Sequence, residues 1–280
     1  MTRFFLLLAA LLPLGSAYAQ SNRIVTLAPH LAELVCAAGA CDKLVGVVRF
    51  TDYPAEAAAR PKVGDAINLN YEQILALRPD LVLSWDGGTS PQVVARLREL
   101  NLLVVPIQIR TLNDVAGALA RVGQLAGSKT AAGLAVSLYY RRLDALRKAN
   151  RRKSRLKVMY QIELGPIYTI SARSPINEAI SLCGGDNVFA RLPQIAPTVS
   201  LEAVVAADPD VVVFSQQDDV AKIRAFWAQW PQARAPRANN LFTVDSNLLD
   251  RQSPRMLGGV EQLCLAFDRA RQHLLYGPGQ

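Results

Sequence analysis

Asn70-Tyr71-Glu72-Gln73-Ile74-Leu75-Ala76-Leu77-Arg78-Pro79-Asp80-Leu81-Val82-Leu83-Ser84-Trp85 decides how this chain folds, because it returns as Ser200-Leu201-Glu202-Ala203-Val204-Val205-Ala206-Ala207-Asp208-Pro209-Asp210-Val211-Val212-Val213-Phe214-Ser215. Each copy opens on a small polar residue, has a Glu two positions later, and continues with an apolar run. Each then has Pro-Asp ahead of β-branched and apolar residues. Asn70 and Ser200 are N-cap types, so the first half of each copy predicts a short helix. Pro-Asp predicts a turn, and the apolar run predicts a parallel strand buried on both faces. The repeat therefore predicts an α/β fold of two similar lobes with parallel sheets. Each lobe carries a glutamate, Glu72 or Glu202, in the first turn of a surface helix. Alone, such a carboxylate only complements the helix dipole, worth about 0.3–1 kcal/mol.

The rest of the chain keeps this rhythm. Strands are expected over Arg23–Leu27, Lys43–Val48 and Leu102–Ile107, with helices from Pro29 to Gly39, Gln92 to Leu100 and Leu112 to Ala126. In the second half, strands are expected over Lys157–Ile162 and Leu241–Val244. A loop is expected at Gly165–Tyr168, with helices over Pro175–Leu182, Ala221–Trp230 and Pro254–Leu274. Strands alternating with helices in this way predict parallel β-α units. Between the halves, residues 128–150 lack Pro and predict a helix of about 22 residues, about 33 Å long. Leu134, Leu138, Arg141 or Arg142, and Ala145 mark a stripe at helical spacing along it. The domain reading is an N-terminal lobe (20–127), a linking helix (128–150) and a C-terminal lobe (151–280), with a disordered tail from Tyr276.

Met1-Thr2-Arg3, an apolar run from Phe4 to Leu14 and Ala17-Tyr18-Ala19 have the form of a secretory signal peptide over residues 1–19. The run is too short to span a bilayer, and no other stretch reaches about 18 apolar residues. Export to the periplasm as a soluble monomer of about 260 residues is expected, enough for two cores. The formal charge is +8, which suits anionic ligands or surfaces. The basic run Arg147, Lys148, Arg151, Arg152, Lys153, Arg155 and Lys157 has no interleaved aromatic residues, so it does not read as a nucleic-acid site. It is expected to be a solvated helix end. The four cysteines of an exported chain favour disulfides. Cys36 and Cys41 flank Gly39 and can join locally, which leaves Cys183 with Cys264. Their spacing does not suit zinc.

Catalytic motifs are absent: there is no G-x-S-x-G, H-E-x-x-H, P-loop or G-x-G-x-x-G. Of two histidines, His273 near the tail is expected to be solvated. His30 follows the first strand, where ligand sites of parallel α/β sheets lie. It could line a cleft or bind a metal centre axially, but one histidine cannot build a metal site, so no metal and no cofactor are expected. Two lobes without catalytic residues suggest a binding protein with its ligand in between. Trp85, before Gly87-Gly88, and Phe50 and Tyr168, at strand-to-loop edges, are candidate ligand contacts. Trp227 and Trp230 are expected to pack.

Thr26-Leu27-Ala28-Pro29 with Glu33-Leu34, Ala37-Ala38-Gly39, Asp52-Tyr53-Pro54, Arg78 through Gly88, Cys183-Gly184-Gly185 with Asn187 and Phe189, and Ser253-Pro254-Arg255 together resemble one family. It is the cobalamin-binding periplasmic receptors of ABC importers, within the helical-backbone metal-receptor group, and the motifs span the chain in order. The resemblance implies two Rossmann-like lobes joined by a long helix, little hinge motion and a Cys183–Cys264 disulfide. It implies that Glu72 and Glu202 dock onto arginines of the importer's membrane permease subunits, where charge pairs steer encounter and orientation. It implies ligand contacts at Pro29, His30, Phe50, Trp85, Tyr168, Asn247 and Arg251. Phe50 stands where the receptors have Tyr, Tyr168 where they have Phe, Asn247 where they have Asp, and Leu248 where they have an aromatic residue. Ala66 and Ala196 stand where tryptophans face the corrin. Losing those rings either removes contact energy or widens the cleft.

Three functions follow. The first is delivery of cobalamin or a related corrinoid to an ABC importer. The second keeps the fold but binds haem, through His30 or Tyr168, or a ferric siderophore, through Arg49 and Arg251. The third is an exported enzyme using Glu72 and Glu202 as acid and base, disfavoured because the two lie on separate lobes.

Overall fold

The computed structural model describes residues 21–65 and 67–277. Residues 1–20, which include the expected signal peptide, Ala66 and residues 278–280 of the expected tail lie outside the described residues. The first lobe runs β1 (Ile24–Thr26), α1 (Pro29–Ala37), β2 (Leu44–Val47), α2 (Ala55–Ala58), α3 (Tyr71–Ala76), β3 (Leu81–Trp85), α4 (Pro91–Glu99), β4 (Val104–Ile107) and α5 (Leu112–Leu125). Helix α6 (Lys129–Asn150) joins it to β5 (Leu156–Gln161), β6 (Glu163–Leu164), β7 (Ile167–Tyr168), α7 (Pro175–Leu182), β8 (Gly185–Asn187) and β9 (Thr198–Val199). The chain then continues through α8 (Leu201–Ala207), β10 (Val211–Ser215), α9 (Val220–Ala228), α10 (Arg234–Arg237), β11 (Leu241–Val244), α11 (Ser246–Leu249) and α12 (Met256–Tyr276).

The two main sheets are parallel and share one topology. The first is ordered β2-β1-β3-β4, and the second, read from its far edge, β8-β5-β10-β11. Each is buried on both faces, which is why its strands read as unbroken apolar runs. Leu81 and Leu83 join one core while Val82 joins another; Val211 and Val213 divide from Val212 and Phe214 in the same way.

The repeat extends to individual bonds. Asn70 and Ser200 cap α3 and α8 by accepting from the Gln73 and Ala203 amides. The residues before each Pro, Arg78 and Asp208, are left-handed at φ 44° and 43°. Asp80 then accepts from the Asn22 and Arg23 amides, and Asp210 from that of Lys157. Each Pro-Asp therefore fastens the start of the neighbouring strand, a role the turn reading did not anticipate.

The linking helix covers Lys129–Asn150, and the stripe through Leu134 and Leu138 is not its buried face. Leu134 and Leu138 are 66% and 59% exposed, and Ala132, Tyr139, Leu143 and Asn150 are buried instead. Both sets have helical spacing, and packing against α5 selects the second; the Tyr139 hydroxyl donates to the Leu112 carbonyl at 2.8 Å. Residues 167–168 form a strand rather than a loop, in a small antiparallel sheet ordered β6-β7-β9. Strand β8, with the sequence Gly-Asp-Asn, was missed because none of its residues favours a strand. His273 is half-buried rather than solvated. It stacks on Phe242, and its Nδ1 lies 2.9 Å from Asn240 Oδ1. The basic run is partly paired, Arg147 with Glu178, Lys153 with Asp268 and Arg155 with Asp186. Trp227 is buried and donates to Gln161. The disulfides are Cys36–Cys41 and Cys183–Cys264. Gly39, inside the first, is left-handed at φ 79° with the Ala131 methyl 2.5 Å from where its Cβ would lie, so α1 ends directly against α6.

Two features tie the lobes together. One core cluster runs from Ile24 and Leu83 through Tyr139 and Leu143 of α6 to Val158, Val213 and Phe267. The second feature is Glu33 of α1, 3% exposed. Its carboxylate meets Arg251 and Arg255 at 3.2 Å and accepts from the Ser253 hydroxyl at 2.6 Å, all from the second lobe. Removing one partner of a buried ion pair strands the other charges. Glu33→Ala is expected to lower unfolding free energy by about 3–5 kcal/mol, measured by urea denaturation. A change below about 0.5 kcal/mol, the range of surface substitutions, would show that the clamp is not a stability element.

Candidate functional site

The candidate site lies where the first lobe's parallel strands end. The carboxyl ends of β1, β2 and β3 and the start of α1 leave a cavity of about 350 Å³. Its walls include Pro29, His30, Phe50, Ile67 and Trp85. Open α/β sheets bind ligands outside the carboxyl ends of their strands. Four expected contacts, Pro29, His30, Phe50 and Trp85, are thus brought together.

Trp85 is half-buried at the end of β3. Gly88 lets the following turn fold over the indole, since a Cβ there would lie 1.8 Å from the ring. The His30 imidazole meets Trp85 edge-on, with ring centres 5.2 Å apart. His30 is 5% exposed and its Nε2 is enclosed without a hydrogen-bond partner. Burial, helped by the charge of Arg251, lowers its pKa to about 3. The ring is therefore neutral and acts as apolar wall. Phe50 is 79% exposed although large and apolar, and its backbone is left-handed at φ 63°. Its carbonyl accepts from Arg251 at 3.3 Å.

The remaining expected contacts belong to the second lobe and do not line this cavity. Tyr168 sits in β7, paired with Thr198 of β9. Asn247 Oδ1 accepts from Arg251 at 2.9 Å. Arg251 also forms a two-pronged pair with Asp52, one contact being 3.0 Å, and it reaches Glu33. That hydrogen bond from Arg251 holds the Asp52 carboxyl below its usual range. Arg255 lies 3.9 Å from the centre of the Tyr53 ring. Glu33, Ser253 and Arg255 were legible in the sequence only as motif letters; their meeting across the lobes was not. A second gap of about 50 Å³ runs between the lobes, lined by Trp85, Gly87, Arg173 and Ile195 among others. Glu72 and Glu202 are exposed in the first turns of α3 and α8, one on each lobe. The Glu202 carboxyl is held below its usual range by backbone and Ser200 hydrogen bonds. Among the described residues no group of His, Cys, Asp and Glu is placed to hold a metal ion, and no helix is long and apolar enough to cross a membrane.

Two parallel-sheet lobes joined by one helix, with an apolar cavity at the strand ends of the first lobe, define a substrate-binding protein of the two-lobed type. Residues 24–248 match the periplasmic binding protein family, and the chain belongs to it. The vitamin B12-binding protein of Vibrio cholerae is 32% identical over 244 residues, 87% of this chain and 88% of that protein. The vitamin B12-binding protein of Yersinia pestis is 33% identical over 259 residues, 92% and 90% of the two chains. The crystal structure of the periplasmic vitamin B12-binding protein BtuF of Vibrio cholerae superposes with a TM-score of 0.83 at 31% identity, covering 90% of this chain and 98% of that one. The haem-binding protein BhuT with two hemes has a TM-score of 0.78 at 23% identity over 89% of this chain and 99% of that one, and shares the fold.

His30 generates a pH prediction. Its folded pKa is depressed, so between about 6.5 and about 3 the unfolded chain takes up a proton that the folded chain refuses. Stability is therefore lost as pH falls through that window, by up to about 1.4 kcal/mol per pH unit from this group. Urea denaturation of wild type and His30→Phe at pH 7 and pH 5 should show the smaller loss in the variant. Equal losses would mean the imidazole is not buried and neutral.

Proposed function

We propose that this protein is a periplasmic receptor that binds cobalamin or a related corrinoid and delivers it to the permease subunits of an ABC importer. The observation that carries this reading is the cleft. A preformed apolar cavity on the first lobe is walled by Trp85, Phe50 and His30, and the Glu33 clamp ties the second lobe to that lobe. Sequence identity above 30% to vitamin B12-binding proteins over nearly the whole chain supports the same ligand class. Pro29, His30, Phe50 and Trp85 form the first-lobe half of the ligand site. Tyr168, Asn247 and Arg251 contribute the second-lobe half, with Arg251 and Asn247 already bonded to each other. The protein acts by binding and transfer rather than catalysis, since the two candidate carboxylates stand on different lobes.

Calorimetric titration with cyanocobalamin, haem and a ferric siderophore tests the ligand. Corrinoid should bind at micromolar concentration or below, and Trp85→Ala should weaken it at least tenfold, as expected for loss of a buried aromatic contact of about 1.5 kcal/mol or more. Absence of any corrinoid binding, or tighter binding of haem, would overturn the assignment.

Delivery rests on Glu72 and Glu202 as docking carboxylates, one per lobe. Replacing both by Ala should leave the corrinoid Kd unchanged while binding to reconstituted importer falls and loses its salt dependence. If ligand affinity fell instead, the carboxylates would belong to the ligand site.

A further inference from the structure

We propose that the outer end of the second lobe, where its parallel strands begin, is a surface that binds anionic phospholipid bilayers. This surface is independent of the ligand class proposed above. Strands β5, β8, β10 and β11 run parallel, so their starts share one edge of the sheet, opposite the carboxyl ends. The basic run between α6 and β5 lies along this edge, and Arg237 of α10 joins it just ahead of β11. Positive charge is in surplus there. Glu178 is matched by Arg147, Asp186 by Arg155, and Asp268 by Lys153 and Arg271. Lys148, Arg151, Arg152, Lys157 and Arg237 are exposed and form no ion pair among the described residues. Arg147, Arg151, Lys153 and Arg155 also line a cavity of about 330 Å³, where one phosphate can meet several cationic groups at once.

Apolar groups stand beside the charges. The Arg271 guanidinium of α12 donates to the Ser154 carbonyl at 2.9 Å and to the Cys183 carbonyl at 2.8 Å, which fastens α12 to the start of β5. In the turn that follows, Leu274, Leu275 and Tyr276 are 45%, 73% and 68% exposed. His273, bonded to Asn240 and stacked on Phe242, holds that turn in place. Single exposed apolar residues are unremarkable on a protein surface. Three in one turn, bordered by unpaired Arg and Lys, have the composition of a membrane-interface surface.

The chemistry favours one occupant. A soluble polyanion would satisfy the charges and leave Leu275 and Tyr276 in water. A bilayer surface takes both, because headgroup phosphates meet the cations while the apolar side chains enter the acyl boundary. Each basic group near an anionic bilayer raises partition about fivefold, within a Debye length of the surface. A few such groups with one short apolar turn give reversible attachment, not an anchor. The cavity belongs to the first lobe, so a receptor resting on lipid by the outer end of its second lobe keeps that cavity free.

The test is flotation of the protein, purified from the periplasm, with vesicles of phosphatidylethanolamine and phosphatidylglycerol and, separately, of phosphatidylcholine alone. Wild type should float with the anionic vesicles only, and high salt should release it. Arg151→Glu with Arg152→Glu should lower the partition coefficient by about tenfold or more, and Leu275→Ser with Tyr276→Ser by about threefold or more. Arg98→Glu with Arg121→Glu makes the same charge change on the first lobe and should lower it by less than about threefold. All variants should unfold thermally as wild type does. Equal flotation with phosphatidylcholine, or a first-lobe pair that weakens binding as much as Arg151→Glu with Arg152→Glu, would overturn the proposal. So would a wild type that does not float; if it then bound polyglutamate through Arg151 and Arg152, the patch would belong to an acidic polypeptide instead. None of these results bears on the cleft, so the receptor assignment stands or falls separately.

Discussion

A single carboxylate, that of Glu33, governs how the two lobes stand to one another. It is buried in the first lobe, and a buried charge is tolerated only when it is paired. Its partners, Arg251, Ser253 and Arg255, all come from the segment between α11 and α12 of the second lobe. Opening the lobes would break the contacts of Glu33 with two guanidinium groups and a hydroxyl, so separation carries an electrostatic cost. A second tie lies near the linking helix, where Glu178 of α7 accepts from the Leu112 amide at the start of α5 and pairs with Arg147 of α6. With a core cluster crossing both lobes, the pair behaves as one body.

The clamp also shapes the cleft wall. Arg251 holds Asp52 and the Phe50 carbonyl as well as Glu33. Phe50 needs that hold, because a non-glycine residue in the left-handed region costs energy unless its surroundings fix it. The same guanidinium that sets the lobe angle therefore sets the aromatic side chain at the cavity. A receptor built this way spends little ordering energy on binding, which is how preorganisation raises affinity. Arg251 therefore acts on both the lobe contact and the cavity wall, and a substitution there would mix the two effects.

The parts of the fold carried by local chemistry were legible in the sequence. The repeat gave N-caps, strands and equal topology because capping residues, Pro-Asp turns and doubly buried strands each leave a compositional trace. The long helix was legible from its uninterrupted composition, but its buried face was not. Leu134 and Tyr139 compete at the same helical spacing, and only the position of α5 decides between them. Strand β8 and the β6-β7-β9 sheet were hidden because short edge segments are stabilised by pairing partners rather than by their own residues. At the site, Trp85 was marked by Gly87-Gly88. Arg251 was legible as a residue but not as part of a clamp, because its partners Glu33 and Asp52 lie about two hundred positions away.

The repeat also explains why Glu72 and Glu202 match while the strand ends do not. Helix start, left-handed turn and strand-fastening aspartate are backbone requirements, and both copies satisfy them, with N-cap residues Asn70 and Ser200, left-handed Arg78 and Asp208, and Asp80 and Asp210. Glu72 and Glu202 ride on that shared frame, so their placement is symmetric. The last residue of each copy, at the open end of a strand, carries no such requirement and is free to diverge. In the first lobe it is Trp85, backed by His30 and Phe50. In the second it is Ser215, whose hydroxyl lies 2.8 Å from Gln217 and 2.9 Å from Ser246, with Gln217 in turn bonded to Asp245. One lobe thus ends in an aromatic wall and the other in a polar network. Such a pair of surfaces suits a ligand with a broad apolar face and a periphery rich in hydrogen-bonding groups.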